Sequence, residues 1–401
     1  MTERPRGGPL QGVRVVELTK VWAGPFAGKL LSFLGAEVIK IESLGALDVT
    51  RGYGVADIDK APGFRAVNPQ KLSVQIDMKT REGVALLLDL VAKSDILIEN
   101  LRPGAMKRLG LGYEVVKAVR PEIVFVSMGM YGDEGPLSYQ TGYAPCFAAL
   151  SGISLLTGHD GGPAVGMSVR YGDSTYGTAA AFAAVVALMH RRRTGAGQFV
   201  DVSAVECLSS MIGDAIMDFT LNGTLRGSDG NRHAEMAPHG VYPCRDGEWL
   251  SLAASSDRAW CALAEAMERP ELAEQPQFKT LSDRKAHEDE LDRLVADWTS
   301  SRDAGELITL LQGRGIAAGK SQNTIDIVSD PQLWARGFFH EVSDGAGATR
   351  PILGPSWTMS RGARITEGAP RLGAHTAEVL GDILGLSPEA QQSLADSGIT
   401  R

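Results

Sequence analysis

The sequence is poor in cysteine and in long apolar runs. Its four cysteines are far apart along 401 residues and form no CxxC pair. That pattern argues against a disulfide framework or a zinc site and is typical of buried thiols in a reducing compartment. No apolar run reaches the ~20 residues that a membrane span requires, and the eight N-terminal residues lack the apolar core of a signal peptide. We therefore expect a cytoplasmic protein that does not cross a membrane.

The sequence also lacks a large excess of charge of one sign. The 40 Lys and Arg and the 48 Asp and Glu leave a formal net charge of −8, without a long run of either sign. A protein whose main function is to bind nucleic acid needs a basic face, so we expect no nucleic-acid partner. A local basic pocket for an anionic cofactor stays compatible with this composition. The length predicts two or three domains and a core large enough to fold without metal or disulfides.

Several motifs with fixed spacing do not occur. The glycine cluster near 152–162 matches neither GxGxxG after a strand nor GxxxxGK[ST], and we interpret it as a surface loop. The seven histidines show no HExxH or paired spacing, which argues against a metal site. No GxSxG elbow is present for a serine nucleophile. We predict no metal.

Strand patterns alternate with helical patterns through the first half of the chain. Strands are predicted over 13–18, 37–42, 72–76, 96–100 and 123–127, and helices over 26–34, 81–92 and 113–119. This alternation predicts βαβ units, and hence a doubly wound, Rossmann-like parallel α/β sheet. A buried helix over 173–189, a strand over 198–202 and a long helix over 205–221 are predicted to follow. Between about 223 and 330, polar turns, a hairpin pattern and charged helices indicate a smaller α+β domain.

Asp173 is the most informative single residue. It stands in the segment RYGDSTYG, directly before the predicted small-residue helix. An aspartate there suits a helix N-cap. It equally suits a covalent nucleophile, because a carboxylate at a helix N-terminus is held ionised and exposed and neighbouring glycines let a ligand approach. The residues alone leave both interpretations open.

Two arginines are candidates for binding phosphate. Arg102 and Arg108 flank a Pro-Gly pair just after a predicted strand, and ligands of open α/β sheets bind beyond the strand ends. The run 191–193 is also basic, but it lies at a predicted helix C-terminus. Cations there complement the helix dipole, so we assign this run a structural role.

A set of ordered motifs covers nearly the whole chain. They are VWAGP at 21–25, LGAEVIKIE at 34–42, DVTRG at 48–52, IDMK at 76–79, ENLRPG at 99–104, the Gly172-Asp173 pair, RTGAGQ at 193–198 and LGAHT at 372–376. Through these motifs the sequence resembles the class III CoA-transferases, the CaiB/BaiF family that includes formyl-CoA:oxalate and carnitine CoA-transferases.

The resemblance implies a nucleophile, a mechanism and a cofactor pocket. Asp173 takes the position of the family's nucleophile, which attacks an acyl-CoA thioester to give a mixed anhydride and then an aspartyl-CoA thioester. No metal takes part. Lys79, Arg102 and Arg108 are implied to face the CoA phosphates. The full implied set of CoA-binding residues is Trp22, Ala23, Ile76, Asp77, Met78, Lys79, Asn100, Leu101, Arg102, Arg108, Thr141, Gly142 and Tyr143.

The sequence also departs from formyl-CoA transferase. Ser43 stands in place of an arginine, Trp22 replaces a glutamine that borders the active site, and the glycine-rich flap is missing. These changes argue against specificity for oxalate and formyl-CoA. An α-methylacyl-CoA racemase is an alternative on the same fold, but its catalytic histidine is replaced here within Gly142-Tyr143-Ala144. A non-catalytic acyl-CoA-binding protein is a second alternative.

The resemblance further implies an assembly. Members form homodimers whose chains are interlocked, with the small domain closing over the partner's site. We accordingly predict a large CoA-binding domain with linker helices over 1–225 and a small domain over 226–330. The segment 331–401 is predicted to return to the large domain.

Overall fold

The chain divides into two compact units. A computed structural model describes residues 6–167, 169–343 and 349–401. The larger unit comprises the described residues within Met1–Ser154, Gly166–Leu225 and Gln332–Arg401. The smaller unit comprises Leu155–Val165 and Arg226–Pro331.

A six-stranded parallel sheet forms the centre of the larger unit. Its strands are β1 (Arg14–Leu18), β2 (Glu37–Glu42), β3 (Leu72–Gln75), β4 (Ile96–Glu99), β5 (Val124–Gly129) and β6 (Gln198–Ser203). They pair in the order β3-β2-β1-β4-β5-β6, and every pair is parallel. The predicted parallel α/β sheet is therefore confirmed. This strand order is the one shown by doubly wound dinucleotide-binding proteins.

Both faces of the sheet are buried. Successive residues of a strand point to opposite faces, so Val15 packs into one apolar cluster and Val16 into the other. Residues on both sides of β1 are thus removed from water. Central strands of such a sheet have few polar residues, as in β4 and the first half of β5.

Helices in the first two segments of the larger unit are mostly short. They are α1 (Ala23–Phe33), α2 (Pro62–Val67), α3 (Arg81–Ala92), α4 (Ala105–Arg108), α5 (Tyr113–Val119), α6 (Ala144–Leu150), α7 (Val169–Thr194), α8 (Ala204–Ser209) and α9 (Gly213–Asn222). The prediction of one long helix over 205–221 was wrong. A 3₁₀ turn over Ser210–Ile212 separates α8 from α9, at a point where Gly213 favours helix poorly.

The basic run at the end of α7 has a structural contact. The Arg191 guanidinium lies 2.8 Å from a carboxylate oxygen of Asp95 and 3.2 Å from one of Glu122. These ion pairs fasten the C-terminal end of α7 to the loops that precede β4 and β5.

The smaller unit is α+β. Its antiparallel sheet has the order β7 (His239–Pro243), β8 (Trp249–Ala253) and β9 (Ala317–Lys320), so the predicted hairpin is confirmed and gains a third strand. Its helices are α10 (Asp257–Ala266), α11 (Leu281–Ala286), α12 (Glu288–Ser300), α13 (Ala304–Gly313) and α14 (Thr324–Val328). Trp260, on α10, is fully buried in the apolar core of this unit.

The expectation that all four cysteines are buried was wrong. Cys244 is buried and Cys207 is half-buried, whereas Cys146 and Cys261 are exposed. Cys261 lies on α10 between residues that face the core, on the side of the helix that faces water.

The C-terminal segment contains short elements. They are α15 (Pro331–Ala335), β10 (Phe339–Ser343), β11 (Thr349–Leu353), α16 (Thr376–Glu378), a π-helical turn over Val379–Ile383 and α17 (Pro388–Asp396). His375 accepts the Ser73 amide on Nδ1 at 3.0 Å, which joins this segment to β3. In the described part of the chain, no helix has the length and apolar character needed to cross a bilayer.

Candidate active site

A cavity of about 670 Å³ opens at the carboxyl ends of β1, β4 and β5 in the larger unit. Strand β1 leads on to β2 at one side, whereas β4 leads on to β5 at the other. The loops after β1 and β4 therefore diverge and leave a crevice, which is where ligands bind in open α/β sheets.

Helix α7 carries Asp173 into the wall of this cavity. The expectation that Asp173 caps the helix was wrong, because α7 begins at Val169. Glycines usually mark helix ends, but Gly172 and Gly177 have another role here. A Cβ on Gly172 would lie 3.3 Å from the Leu208 side chain, and one on Gly177 would lie 2.4 Å from the Ala23 carbonyl oxygen. These glycines let the neighbouring helices α8 and α1 pack closely against α7.

The Asp173 carboxylate is not held ionised and exposed as the sequence suggested. Asp173 is half-buried, and this burial raises the pKa of its carboxyl group to about 6. Among the described residues, none forms an ion pair or donates a hydrogen bond to it. A carboxylate with few stabilising partners is a better nucleophile than one that is fully hydrogen-bonded, because less must be broken before it attacks.

The cavity is cationic apart from Asp173. Lys20, Arg102 and Arg108 lie in its wall, and no other acidic side chain does so among the described lining residues. Such a wall attracts anionic ligands, and the planar guanidinium groups of arginine suit phosphate oxygens. In the described part of the chain, no three His, Cys, Asp or Glu residues form a metal-binding group.

Most of the residues predicted to bind a cofactor meet at this cavity. Eight of them line it together with Asp173: Ala23, Asn100, Leu101, Arg102, Arg108, Thr141, Gly142 and Tyr143. They come from the start of α1, the loop after β4, the end of α4 and the segment before α6, which are spread over more than 100 residues of sequence.

The segment 76–79 lies off the cavity wall. The Ile76 side chain is fully buried in the core, and Met78 packs against the same core cluster. Asp77 accepts the Lys79 amide at 3.0 Å. The Lys79 ammonium is 3.4 Å from the Gly45 carbonyl oxygen. This segment follows β3, so it lies at the same carboxyl edge of the sheet as the cavity.

Trp22 contacts the helix that carries Asp173. Its indole Nε1 donates to the Ser174 hydroxyl at 3.1 Å. The Arg170 guanidinium lies 4.4 Å from the centre of the indole ring, in a cation–π contact. Trp22 therefore sits beside the candidate nucleophile without lining the cavity itself.

Sequence reasoning missed several residues of the cavity wall. One of them, Tyr176, is three residues after Asp173 and hence on the same side of α7. Its hydroxyl lies 2.9 Å from the carbonyl oxygens of Gly129 and Val202. The spacing on the helix was a signal for Tyr176. Three other missed residues, Val21, Val49 and Pro103, lie within the motifs VWAGP, DVTRG and ENLRPG. The remaining ones carry no local signal: Lys20, Ala105, Met128, Gly129, Met130, Gln140, Cys146 and Phe147.

Comparison with known proteins identifies the family of this chain. The family model "CoA-transferase family III" matches residues 10–376. The succinyl-CoA–D-citramalate CoA-transferase of Chloroflexus aurantiacus is 35% identical over 95% of this chain and 95% of its own length. The succinate–glutarate CoA-transferase of Agrobacterium fabrum is 31% identical over 96% and 98%.

A solved structure shows the same similarity in three dimensions. A CaiB/BaiF family protein from Brucella suis matches with a TM-score of 0.87 and 31% identity, over 94% of this chain and all of that one. The cavity, its carboxylate and these matches together show that the chain belongs to CoA-transferase family III, enzymes that transfer CoA from an acyl-CoA to a carboxylic acid.

Proposed function

We propose that Asp173 is the nucleophile of a CoA transfer between two carboxylic acids. Its carboxylate attacks the thioester carbonyl carbon and forms a C–O bond. The C–S bond then breaks, so that CoA leaves as a thiolate and a mixed anhydride of Asp173 and the donor acid remains. The thiolate then attacks the Asp173 acyl carbon, which releases the donor acid and leaves an aspartyl-CoA thioester. The acceptor carboxylate repeats both steps in reverse. The observation that carries this proposal is the position of Asp173 in a cavity with three cations.

The same cavity is proposed as the CoA site. Arg102 and Arg108 lie in its wall, and we assign them, with Lys79 on the neighbouring loop, to the CoA phosphates. The apolar members of the predicted set are assigned to the adenine and the pantetheine arm. The adenine end is proposed to extend beyond this cavity toward the segment 76–79, where the Lys79 side chain is exposed.

The substrates are proposed to be short dicarboxylic acids. The relatives named above act on succinyl-CoA or succinate with citramalate or glutarate, and all of these are dicarboxylates. Lys20 supplies a cation at the cavity that complements a second carboxylate. Racemase chemistry is disfavoured, because no histidine is among the described lining residues.

Native mass spectrometry tests the proposal. The protein is mixed with succinyl-CoA and with a panel of other acyl-CoAs, and Asp173→Ala serves as the control. We expect an adduct with the mass of one CoA less one water on the parent protein, and none on the variant. An adduct of equal amount on Asp173→Ala would exclude this nucleophile. The donor that gives most adduct identifies the substrate.

The rate of adduct formation should depend on pH through Asp173. Burial raises the pKa of its carboxyl group to about 6, and only the ionised form attacks. We therefore expect kcat/KM for succinyl-CoA to rise about tenfold between pH 5 and pH 7 and then to level off. Steady-state rates in overlapping buffers measure this profile. A flat profile from pH 5 to pH 7 would contradict the assignment.

We also propose an interlocked homodimer. Helices α7 and α9 expose large apolar side chains, including Phe182 at 71% and Leu221 at 73% of their surface. Exposed apolar residues grouped in this way mark an interface. The native mass of the assembly, recorded in the same mass-spectrometry experiment, should be twice the chain mass of 42.7 kDa.

A further inference from the structure

The turn between β1 and α1 has an unusual backbone. Val21 has a φ of 71°, which lies in the left-handed region. A β-branched residue is a genuine outlier there, because its Cβ crowds the following carbonyl oxygen. Val21 also lines the cavity. A strained residue persists only where its surroundings hold it, and such residues concentrate at functional sites.

Two side chains from other parts of the sheet hold this turn. Asn100, just after β4, accepts the Lys20 amide on Oδ1 at 2.7 Å and donates from Nδ2 to the Lys20 carbonyl at 2.8 Å. Asp48 accepts the Val21 amide on Oδ1 at 3.0 Å. The backbone groups that directly precede the strained torsion are therefore fixed.

Asp48 is itself held rigidly. It is fully buried, and its Oδ2 lies 3.1 Å from the ammonium of the equally buried Lys40. The same ammonium donates to the Thr19 carbonyl at 2.8 Å, immediately before the turn. Thr50 donates to Asp48 Oδ1 from its amide and its hydroxyl, at 3.0 and 2.8 Å.

The turn and the start of α1 contact α7, the helix that carries Asp173. Trp22 bonds to Ser174, next to Asp173. A Cβ added to Gly177 would lie 2.4 Å from the Ala23 carbonyl oxygen. A Cβ added to Gly24 would lie 2.9 Å from the Asn100 amide carbon. Because these contacts are close, a shift of the start of α1 would also change its packing against α7.

We propose that Asp48 and Asn100 are positioning residues, which hold the Lys20–Trp22 turn in its left-handed form and thereby fix the cavity wall against Asp173. We call Asp48 and Asn100 the clamp. The inference rests on the proposed function for the role of Asp173, but the existence of the clamp does not. Without the clamp the turn relaxes toward negative φ, and Trp22 and Ala23 shift relative to the nucleophile. A displacement of about 1 Å in such a site lowers a rate by about 100-fold.

The test uses Asn100→Ala, which removes both hydrogen bonds to Lys20 without disturbing the buried charges. Hydrogen–deuterium exchange of the peptide that spans 19–24 should become at least tenfold faster. The kcat should fall 10- to 100-fold, and the KM for the acceptor acid should change less than threefold. The matched control is Gln70→Ala, since Gln70 is a buried side-chain amide that accepts the Thr366 amide at 2.9 Å and donates to the Arg364 carbonyl at 3.2 Å, away from the turn.

A rescue variant separates positioning from general damage. Glycine adopts a φ of 71° without strain, so Val21→Gly in the Asn100→Ala background should recover at least half of the lost kcat on a logarithmic scale. Where Asn100→Ala does not fold, Asn100→Asp replaces it, because its carboxylate still accepts the Lys20 amide but has no donor for the Lys20 carbonyl, and the same sign is expected for exchange and kcat.

The outcomes are distinguishable. Exchange at 19–24 that stays within twofold of Gln70→Ala would overturn the clamp. Faster exchange with an unchanged kcat would overturn its role in catalysis, as would a failure of Val21→Gly to restore kcat. If the parent protein itself shows no CoA transfer, the proposed function fails, while the exchange measurement still decides whether the clamp exists.

Discussion

Asp173→Asn should turn over at least about 10³-fold more slowly than the parent enzyme, while it still binds CoA. The amide has nearly the same shape as the carboxylate, so the cavity and α7 keep their form. It has no anionic oxygen to attack the thioester, and hence it forms neither anhydride nor aspartyl-CoA. Initial rates of CoA transfer from succinyl-CoA measure the loss, and calorimetric titration with CoA measures the retained binding.

A second carboxylate provides the control for this variant. Asp201, on β6, also has a pKa raised by burial, and its side chain accepts the Asp133 amide at 2.8 Å. It does not line the cavity in the described structure. Asp201→Asn should stay within about threefold of the parent rate. A similar loss in both variants would mean that charge in general, and not a nucleophile, is being removed.

The same Asp173 variant should change stability with pH in a defined direction. The folded chain binds a proton on Asp173 more tightly than the unfolded chain, because the pKa rises from 3.8 to about 6. Ionisation therefore costs folding free energy above pH 6 and nothing below about pH 4. Asp173→Asn should be more stable than the parent at pH 8, by up to about 3 kcal/mol, and this gain should vanish at pH 4.

Glu17→Gln should destabilise the larger unit by about 3–5 kcal/mol. Glu17 is fully buried on β1, with its carboxylate 2.8 Å from the Lys71 ammonium and 3.2 Å from the Lys40 ammonium. Lys40 keeps Asp48 as a partner in the variant. Lys71 keeps only neutral oxygens, those of Pro25 and Asn68, so a buried cation is left without a counter-charge.

Urea unfolding at pH 7, followed by circular dichroism, measures this loss. Burial lowers the pKa of Lys71 to about 8 even with Glu17 present, so at pH 9 much of Lys71 is neutral and the loss should be smaller. Glu37→Gln is the control, because Glu37 pairs with Arg14 where both side chains are partly exposed and should cost less than about 1 kcal/mol. Equal losses for the two variants would contradict the buried pair.

The elements of the sheet were predictable because their signals are local. Segments rich in β-branched residues, such as 13–18 and 37–42, predicted strands that the structure places within one residue. Helix α3, predicted over 81–92, is found at Arg81–Ala92, with Thr80 as its N-cap. The start of α7 was missed because Gly172 serves close packing there, and a sequence pattern does not distinguish a packing glycine from a helix boundary.

The sequence by itself determined the family and the parallel α/β sheet, and it singled out Asp173, which lines the cavity. Each of these depends on a motif or a periodicity within a few dozen residues. Only the tertiary structure decided that Lys40 and Lys71 lie fully buried on Glu17, and that Val21 adopts a backbone form its side chain disfavours. A lysine is favoured at the surface and a valine in a strand. Hydrogen bonds and ion pairs from residues 20 to 80 positions away outweigh those preferences, and local sequence contains no record of them.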